Sequence, residues 1–240
     1  MATDGTCSCN NNSNILLDDY IVELIVKNVQ DILAKNNGKI VSKKFANGFP
    51  LIPLGVSNRH IHLTEKMFHT LFGNEAKFEE MRPLYQPGEY ASKHALTIVG
   101  KKLRSIQNVR ILGPLRKYDQ VEISLTDSIF LGVNPPVTNS GVLEEAAPLT
   151  LVGPKGSVYL EKCAIVANRH IHMTNKDAQV FGVKNGDYCR VKINTDKSTV
   201  FEDVLIRTND NWLLQIHLDT DDANAANVRE ETFVEFLGKM

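Results

Sequence analysis

Apolar and polar positions change their period as the chain proceeds. From Ile15 to Lys35 the apolar residues Leu17, Tyr20, Ile21, Leu24, Ile25, Val29, Ile32 and Leu33 recur at helical spacing, with Asp18, Asp19, Glu23, Lys27 and Asp31 largely on the other side. That predicts one amphipathic helix, with Ser13 or Asn14 as its cap. Beyond it the period shortens to two. Alternation predicts strands at 95–99, 109–112, 120–125, 149–152, 158–160, 163–167, 188–193, 199–207 and 212–218, separated by turn signals such as Asn185-Gly186 and Asn209-Asp210. Thr64 and Thr174 each precede a short helical run that stops at Phe72-Gly73 or Phe181-Gly182.

Many short strands with few, short helices argue for a mainly β fold of two β-barrel-like halves related by internal duplication. The expected division is a polar leader, helix and linker over 1–48, a first half over 49–145 and a second over 146–240, with interleaving of elements allowed. A helix carried on the linker 36–48 suits a docking peptide; packing on the body or a homo-oligomer contact is the equal alternative.

Composition narrows the class without choosing a function. Twenty-seven basic and 28 acidic residues leave a net charge of -1, so no broad basic field exists to hold nucleic acid. No apolar run is long enough for a membrane span, and the polar N-terminus lacks a secretory pattern. Cys7, Cys9, Cys163 and Cys189 show neither CxxC pairs nor disulfide density. A cytoplasmic protein is the expectation.

The chemistry concentrates in a nine-residue stretch that occurs twice. VSNRHIHLT (56–64) returns as VANRHIHMT (166–174), and the two copies hold four of the seven histidines. On a strand His60 and His62 share a face, as do His170 and His172. The same parity in Gln120–Leu125 separates Glu122 from Val121, Ile123 and Leu125, and in Trp212–Asp219 separates His217 from Leu214, Ile216 and Leu218. Two triads result: His60, His62, Glu122 and His170, His172, His217. Imidazole and carboxylate without thiolate suit zinc, and three ligands with an open position suit a catalytic ion. A lone HxH is weak evidence, but repetition 110 positions apart strengthens it. Arg116, behind the Gly113-Pro114 turn and six residues before Glu122, can grip a phosphate bidentately; a surface ion pair is its bland alternative.

These motifs, with LYQPGEYA (84–91), NVRILGPLRKYDQVEISLTD (108–127), GPKGSV and the closing IHLDTDDANAA (216–226), resemble the PduL-type phosphate propanoyltransferases, phosphotransacylases associated with bacterial microcompartments. The resemblance runs from about Ile52 to about Ala226. It implies a two-barrel enzyme with two zinc ions on the triads, interconverting acyl-CoA plus phosphate with acyl phosphate plus CoA. It further implies Arg116 as the phosphate ligand, and CoA contacts at Val56, Ser57, Asn58, Arg110 and Asn224. Another falls on a lysine of the Lys101-Lys102 pair, taken as Lys102, where Val99-Gly-Lys-Lys-Leu-Arg is one residue longer than the usual segment. Residues 15–35 resemble an encapsulation peptide that meets microcompartment shell or cargo proteins.

Direct attack by phosphate on the thioester is the expected mechanism, with Cys163 and Cys189 as structural residues. A dinuclear metal hydrolase, releasing thiol without phosphate, and a non-catalytic microcompartment binding module are the competing readings.

Overall fold

The computed structural model describes residues 47–229 and 231–240. The expected leader, amphipathic helix and most of the linker lie outside them. Asn47, at the end of that linker, donates to the Phe236 carbonyl at 2.8 Å. Phe49 stacks on Phe181 with ring centroids 5.6 Å apart.

The strands run in chain order as β1 (Ile52–Ser57), β2 (His60–His62), β3 (Glu80–Pro83), β4 (Tyr90–Val99), β5 (Ser105–Gly113), β6 (Gln120–Glu122) and β7 (Val137–Thr138). They continue as β8 (Ala147–Gly153), β9 (Gly156–Ala167), β10 (His170–Met173), β11 (Tyr188–Ile193), β12 (Thr199–Thr208), β13 (Gln215–Asp219) and β14 (Phe233–Lys239). Four short helices sit between them: α1 (Glu65–Phe72), α2 (Leu125–Leu131), α3 (Asn175–Phe181) and α4 (Thr220–Ala225).

Two barrels account for nearly all the strands, as the alternation predicts. The first closes through β4, β5, β2, β6, β9 and β8, with β3 and β7 on its margins. The second closes in the order β1, β13, β10, β12, β11, β14. Barrel membership does not follow the chain. β8 and β9, beyond residue 145, belong to the first barrel, and β1 pairs in parallel with β13 of the second. The strand leading into each histidine copy thus serves the opposite barrel, because β9 pairs in parallel with β6 while β10 lies in the second.

Each core gathers the apolar half of the alternation. Ile61, Leu63, Ile98, Ile111, Val121 and Leu151 fill the first barrel, and Ile171, Met173, Val191, Ile206, Ile216 and Phe236 the second. In both histidine strands the isoleucine enters the core and the histidines take the other face, which leaves them free for chemistry.

The helix signals act as read. Thr64 and Thr174 are N-caps whose hydroxyls accept from Met67 and Asp177 amides. Gly182 closes α3 in the left-handed region at φ 67°, open to glycine without strain. Two strand boundaries differ from expectation. The 120–125 strand ends at Glu122, because Ser124 forms a capping box with Asp127 and opens α2, leaving Leu125 58% exposed. The 212–218 strand begins at Gln215, and Trp212 is released to lie 4.2 Å, centroid to centroid, from the His172 ring.

Candidate active site

Register brings the two triads together. In the first barrel His60 is opposite Glu122 on the antiparallel β2–β6 pair; in the second His170 is opposite His217 on β10–β13. One pocket between the barrels is lined by His60 and Glu122 of the first and by Ser57, His170 and His217 of the second, with Asn58 and Asn168 from the turns before the two histidine pairs. The first triad is compact: one ligand atom each from His60, His62 and Glu122 lies within 4.8 Å of the others. His60 Nε2 is 3.4 Å from Glu122 Oε2. Among the described residues no other triad converges so closely. The second is an imidazole cluster with ring centroids 4.7 to 5.0 Å apart, in which His170 and His217 are stacked.

Two observations fit these residues to a cation. The first is a set of ring nitrogens: His62 Nδ1, both nitrogens of His172 and His217 Nε2 are buried without a partner among the described residues. Buried donors and acceptors are nearly always satisfied, so this concentration of ring nitrogens suits a ligand. The second is orientation. His60 Nδ1 and His170 Nδ1 each lie 2.8 Å from a backbone carbonyl, of Asn58 and Asn168. A carbonyl only accepts, so each Nδ1 carries the proton and each Nε2 presents its lone pair.

Burial keeps His62, His170, His172 and His217 neutral. Burial first, then the neighbouring His60, lowers His62 to about 3. Burial and His170 lower His217 to about 3, and burial with His170 and His217 lowers His172 to about 2. Glu122 is held below its usual range: burial opposes ionisation, but His60 and His62 outweigh it. Neutral imidazoles beside a carboxylate are the protonation states a divalent ion requires.

Around the triads stands a duplicated framework of ion pairs. Arg59 grips Asp127 through Nε at 2.7 Å and a terminal nitrogen at 2.8 Å. Arg169 grips Asp222 in the same way at 2.7 and 3.0 Å. Each arginine precedes a histidine pair, and each aspartate lies in the first turn of the helix that follows the third ligand, so the forks lock ligand strands to each other. Arg116 donates at 2.6 Å to Glu89, and its buried Nε has no partner. Gln120 donates to Glu122 at 2.7 Å and to Ser140 at 2.8 Å.

A family model for phosphate propanoyltransferase matches residues 53–229. The chain belongs to the phosphate propanoyltransferase family. It is 45% identical over 213 residues to the phosphate propanoyltransferase of Lachnoclostridium phytofermentans, covering 88% of this chain and 96% of the relative. Identity to the Rhodobacter capsulatus protein of that name is 39% over 219 residues, 91% and 95% of the two chains. The Thermotoga maritima protein is 49% identical over 178 residues, 74% and 84% of the two. Membership makes the chain a phosphate acyltransferase, as the motifs imply.

The remaining expected positions of this family member are spread out. Ser57 lies in the pocket with its Oγ 3.4 Å from His217 Nδ1, and Asn58 is beside it. Val56 is 42% exposed, and Asn224 is exposed on α4. The Arg110 guanidinium donates to the Ser92 and Lys93 carbonyls, at 3.3 and 3.0 Å. Lys102 lines a separate cavity with Ile129, Val133 and Pro148, away from the histidine pocket.

Sequence reasoning passed over Arg59, Asp127, Arg169, Asp222, Gln120 and Arg207. The signal for the first four was present. QVEISLTDS (120–128) repeats 95 residues later as QIHLDTDDA (215–223), aligning Glu122 with His217 and Asp127 with Asp222. Among the described residues no helix is long and apolar enough to cross a membrane.

Proposed function

We propose that the inter-barrel pocket transfers a short acyl group, propanoyl or similar, between CoA and phosphate by direct attack of a phosphate oxygen on the thioester. The observation that carries this reading is that two members of each triad, His60 with Glu122 and His170 with His217, line one pocket, and that ring nitrogens of His62, His172 and His217 have no partner among the described residues. His60, His62 and Glu122 would hold one zinc ion and His170, His172 and His217 a second. Bound there, zinc supplies Lewis acidity that polarises the thioester carbonyl and eases departure of the thiolate.

The chain's own residues do the rest. Arg116 neutralises and orients phosphate, drawing on a guanidinium already aimed by Glu89. A phosphate oxygen bonds to the carbonyl carbon, the C–S bond breaks, and the thiolate takes up the proton that hydrogen phosphate gives up. Phosphate is already an anion at neutral pH, so positioning and charge neutralisation matter more than a strong base. No acyl-enzyme is needed: burial pushes the Cys163 and Cys189 thiols to about 12, leaving no thiolate to attack.

Ser57 and Asn58, with Val56 at the pocket margin, would meet CoA. Support comes from α4, which carries Asn224 and packs against β1. Arg110 would contribute by positioning; Lys102 has only the resemblance behind it. Residues 15–35 would dock to a microcompartment shell or to its cargo, on the strength of their amphipathic pattern alone.

The test is acyl phosphate formation, trapped as hydroxamate, from a panel of acyl-CoAs with and without phosphate. Product that requires phosphate and metal supports the reading. Thiol release that is independent of phosphate makes the chain a hydrolase and overturns it.

A further inference from the structure

Four arginines lie close to the triads, and three of them are accounted for: Arg59, Arg116 and Arg169 each grip a carboxylate. Arg207 forms no such pair with any described residue. It is partly buried, on β12, where it is the register partner of His172 and therefore projects from the same face of the sheet. Its guanidinium carbon lies 5.3 Å from the centroid of Trp212, the ring that also covers His172. Trp212 thus fixes the height of the guanidinium over the second triad without occupying its in-plane N–H donors.

A cation removed from water without a carboxylate is costly, and here burial lowers the Arg207 pKa. The groups whose charge it feels are those of the other barrel: Glu122, Tyr118 and Glu89 attract it, and Arg116 repels it. Geometry ties the two guanidiniums together: Leu213, next to Trp212, exchanges two hydrogen bonds with the Gln86 side chain, the Gln86 carbonyl accepts from the Glu89 amide, and Glu89 holds Arg116, whose Nε has no partner among the described residues. Duplication does not account for the residue. In the first barrel β5 pairs with β2 through Arg110 and Ile111, so the position matching Arg207 is Leu112, which is apolar.

We infer that Arg207 is a second phosphate-holding residue, clamping the phosphate dianion from the second barrel opposite Arg116 of the first. This rests on the transfer reading above. A phosphate group could also reach the site as part of CoA, and separate kinetic arms distinguish the two sources. Inorganic phosphate is the ligand proposed, because Arg207 adjoins the triad and not the exposed Val56 and Asn224 margin.

Arg207→Gln and Arg207→Lys are compared with wild type for metal content, for KM of phosphate and of CoA in the two directions, and for the rise in Tm produced by inorganic phosphate alone. The expected result for Arg207→Gln is a phosphate KM raised about tenfold or more, the loss of one charge-assisted contact, with CoA KM and metal content unchanged. Arg207→Lys falls between, keeping the charge but losing the fork. Stabilisation by phosphate drops in the same order. An unchanged phosphate KM, or a rise confined to CoA, overturns the assignment. If wild type shows no phosphate-dependent turnover, the transfer reading fails by itself. Stabilisation by phosphate then still tests Arg207, and an undiminished Tm rise in Arg207→Gln refutes it.

Discussion

Acidifying the metal-free protein tests the buried imidazoles directly. His62 and His217 are lowered to about 3 and His172 to about 2, against an ordinary histidine value of 6.5. Below 6.5 the unfolded chain therefore binds protons at these three histidines that the folded chain refuses, and at His170, which burial lowers as well, so stability falls as pH falls through this range. At about pH 5 each histidine costs about 2 kcal/mol, and the three together about 6 kcal/mol. Stabilities of ordinary domains run to about 5–15 kcal/mol, so most of the reserve would be gone. Glu122 adds to the loss only lower down, because its folded value lies below the ordinary 4.5. Asp219, raised by burial, works mildly the other way. The assay is denaturant unfolding of chelator-treated protein, followed by far-UV circular dichroism at steps between about pH 7 and about pH 5. His172→Gln should flatten the slope by about one quarter or more, since it removes one contribution of the four from His62, His170, His172 and His217. A change below about 1 kcal/mol over that range, or a slope untouched by His172→Gln, would refute the claim that His62, His170, His172 and His217 are buried as neutral imidazoles.

Two further outcomes are expected. Asp127→Asn, which keeps the side chain's shape but removes the charge from the Arg59 fork and the Ser124 capping box, should destabilise by about 1–3 kcal/mol and weaken metal retention, read by Tm and metal analysis after gel filtration. The Cys163→Ala, Cys189→Ala double variant should keep phosphate-dependent turnover per folded molecule; its loss with metal retained would point to a thiol nucleophile and against direct attack.

The first-order plan of the molecule was legible because period-two alternation is a local property. Ile61 and Ile171 enter the two cores while the flanking histidines share the other face, as strand parity requires. Parity also separated Glu122 and His217 from the core residues beside them. What parity cannot state is which strand lies beside which. That β1 would pair with β13, and β9 with β6, is a matter of long-range register, and no local pattern encodes the exchange of leading strands between barrels. Boundaries failed where a cap competed with alternation: Ser124 reads as a polar strand position until Asp127 three residues later is recognised as its capping partner. Arg207 was hidden for a different reason. In VLIRT it is simply the polar end of a strand, and its meaning depends on Trp212 and on charges from the other barrel.

Comparing the copies separates framework from chemistry. Held in common are the Arg-Asp forks, the Nδ1-to-carbonyl contacts at 2.8 Å, and the glutamine two residues before each third ligand. Different in the two are Glu122 against His217, Ser57 against Ala167, and Leu112 against Arg207. The shared set orients rings and joins strands, which any copy must do to fold. The differing set alters charge. An ionised Glu122 gives the first triad a negative charge, whereas the second is made of neutral imidazoles with Arg207 alongside. With a divalent ion on each triad, the first would carry one positive charge fewer than the second, so an incoming dianion would be drawn more strongly to the second. Arg116 stands on the chain segment of the barrel that holds Glu122, three residues past the end of β5. Duplication supplied two similar frames; on the proposed reading, the substitutions between them set the side from which phosphate is pulled.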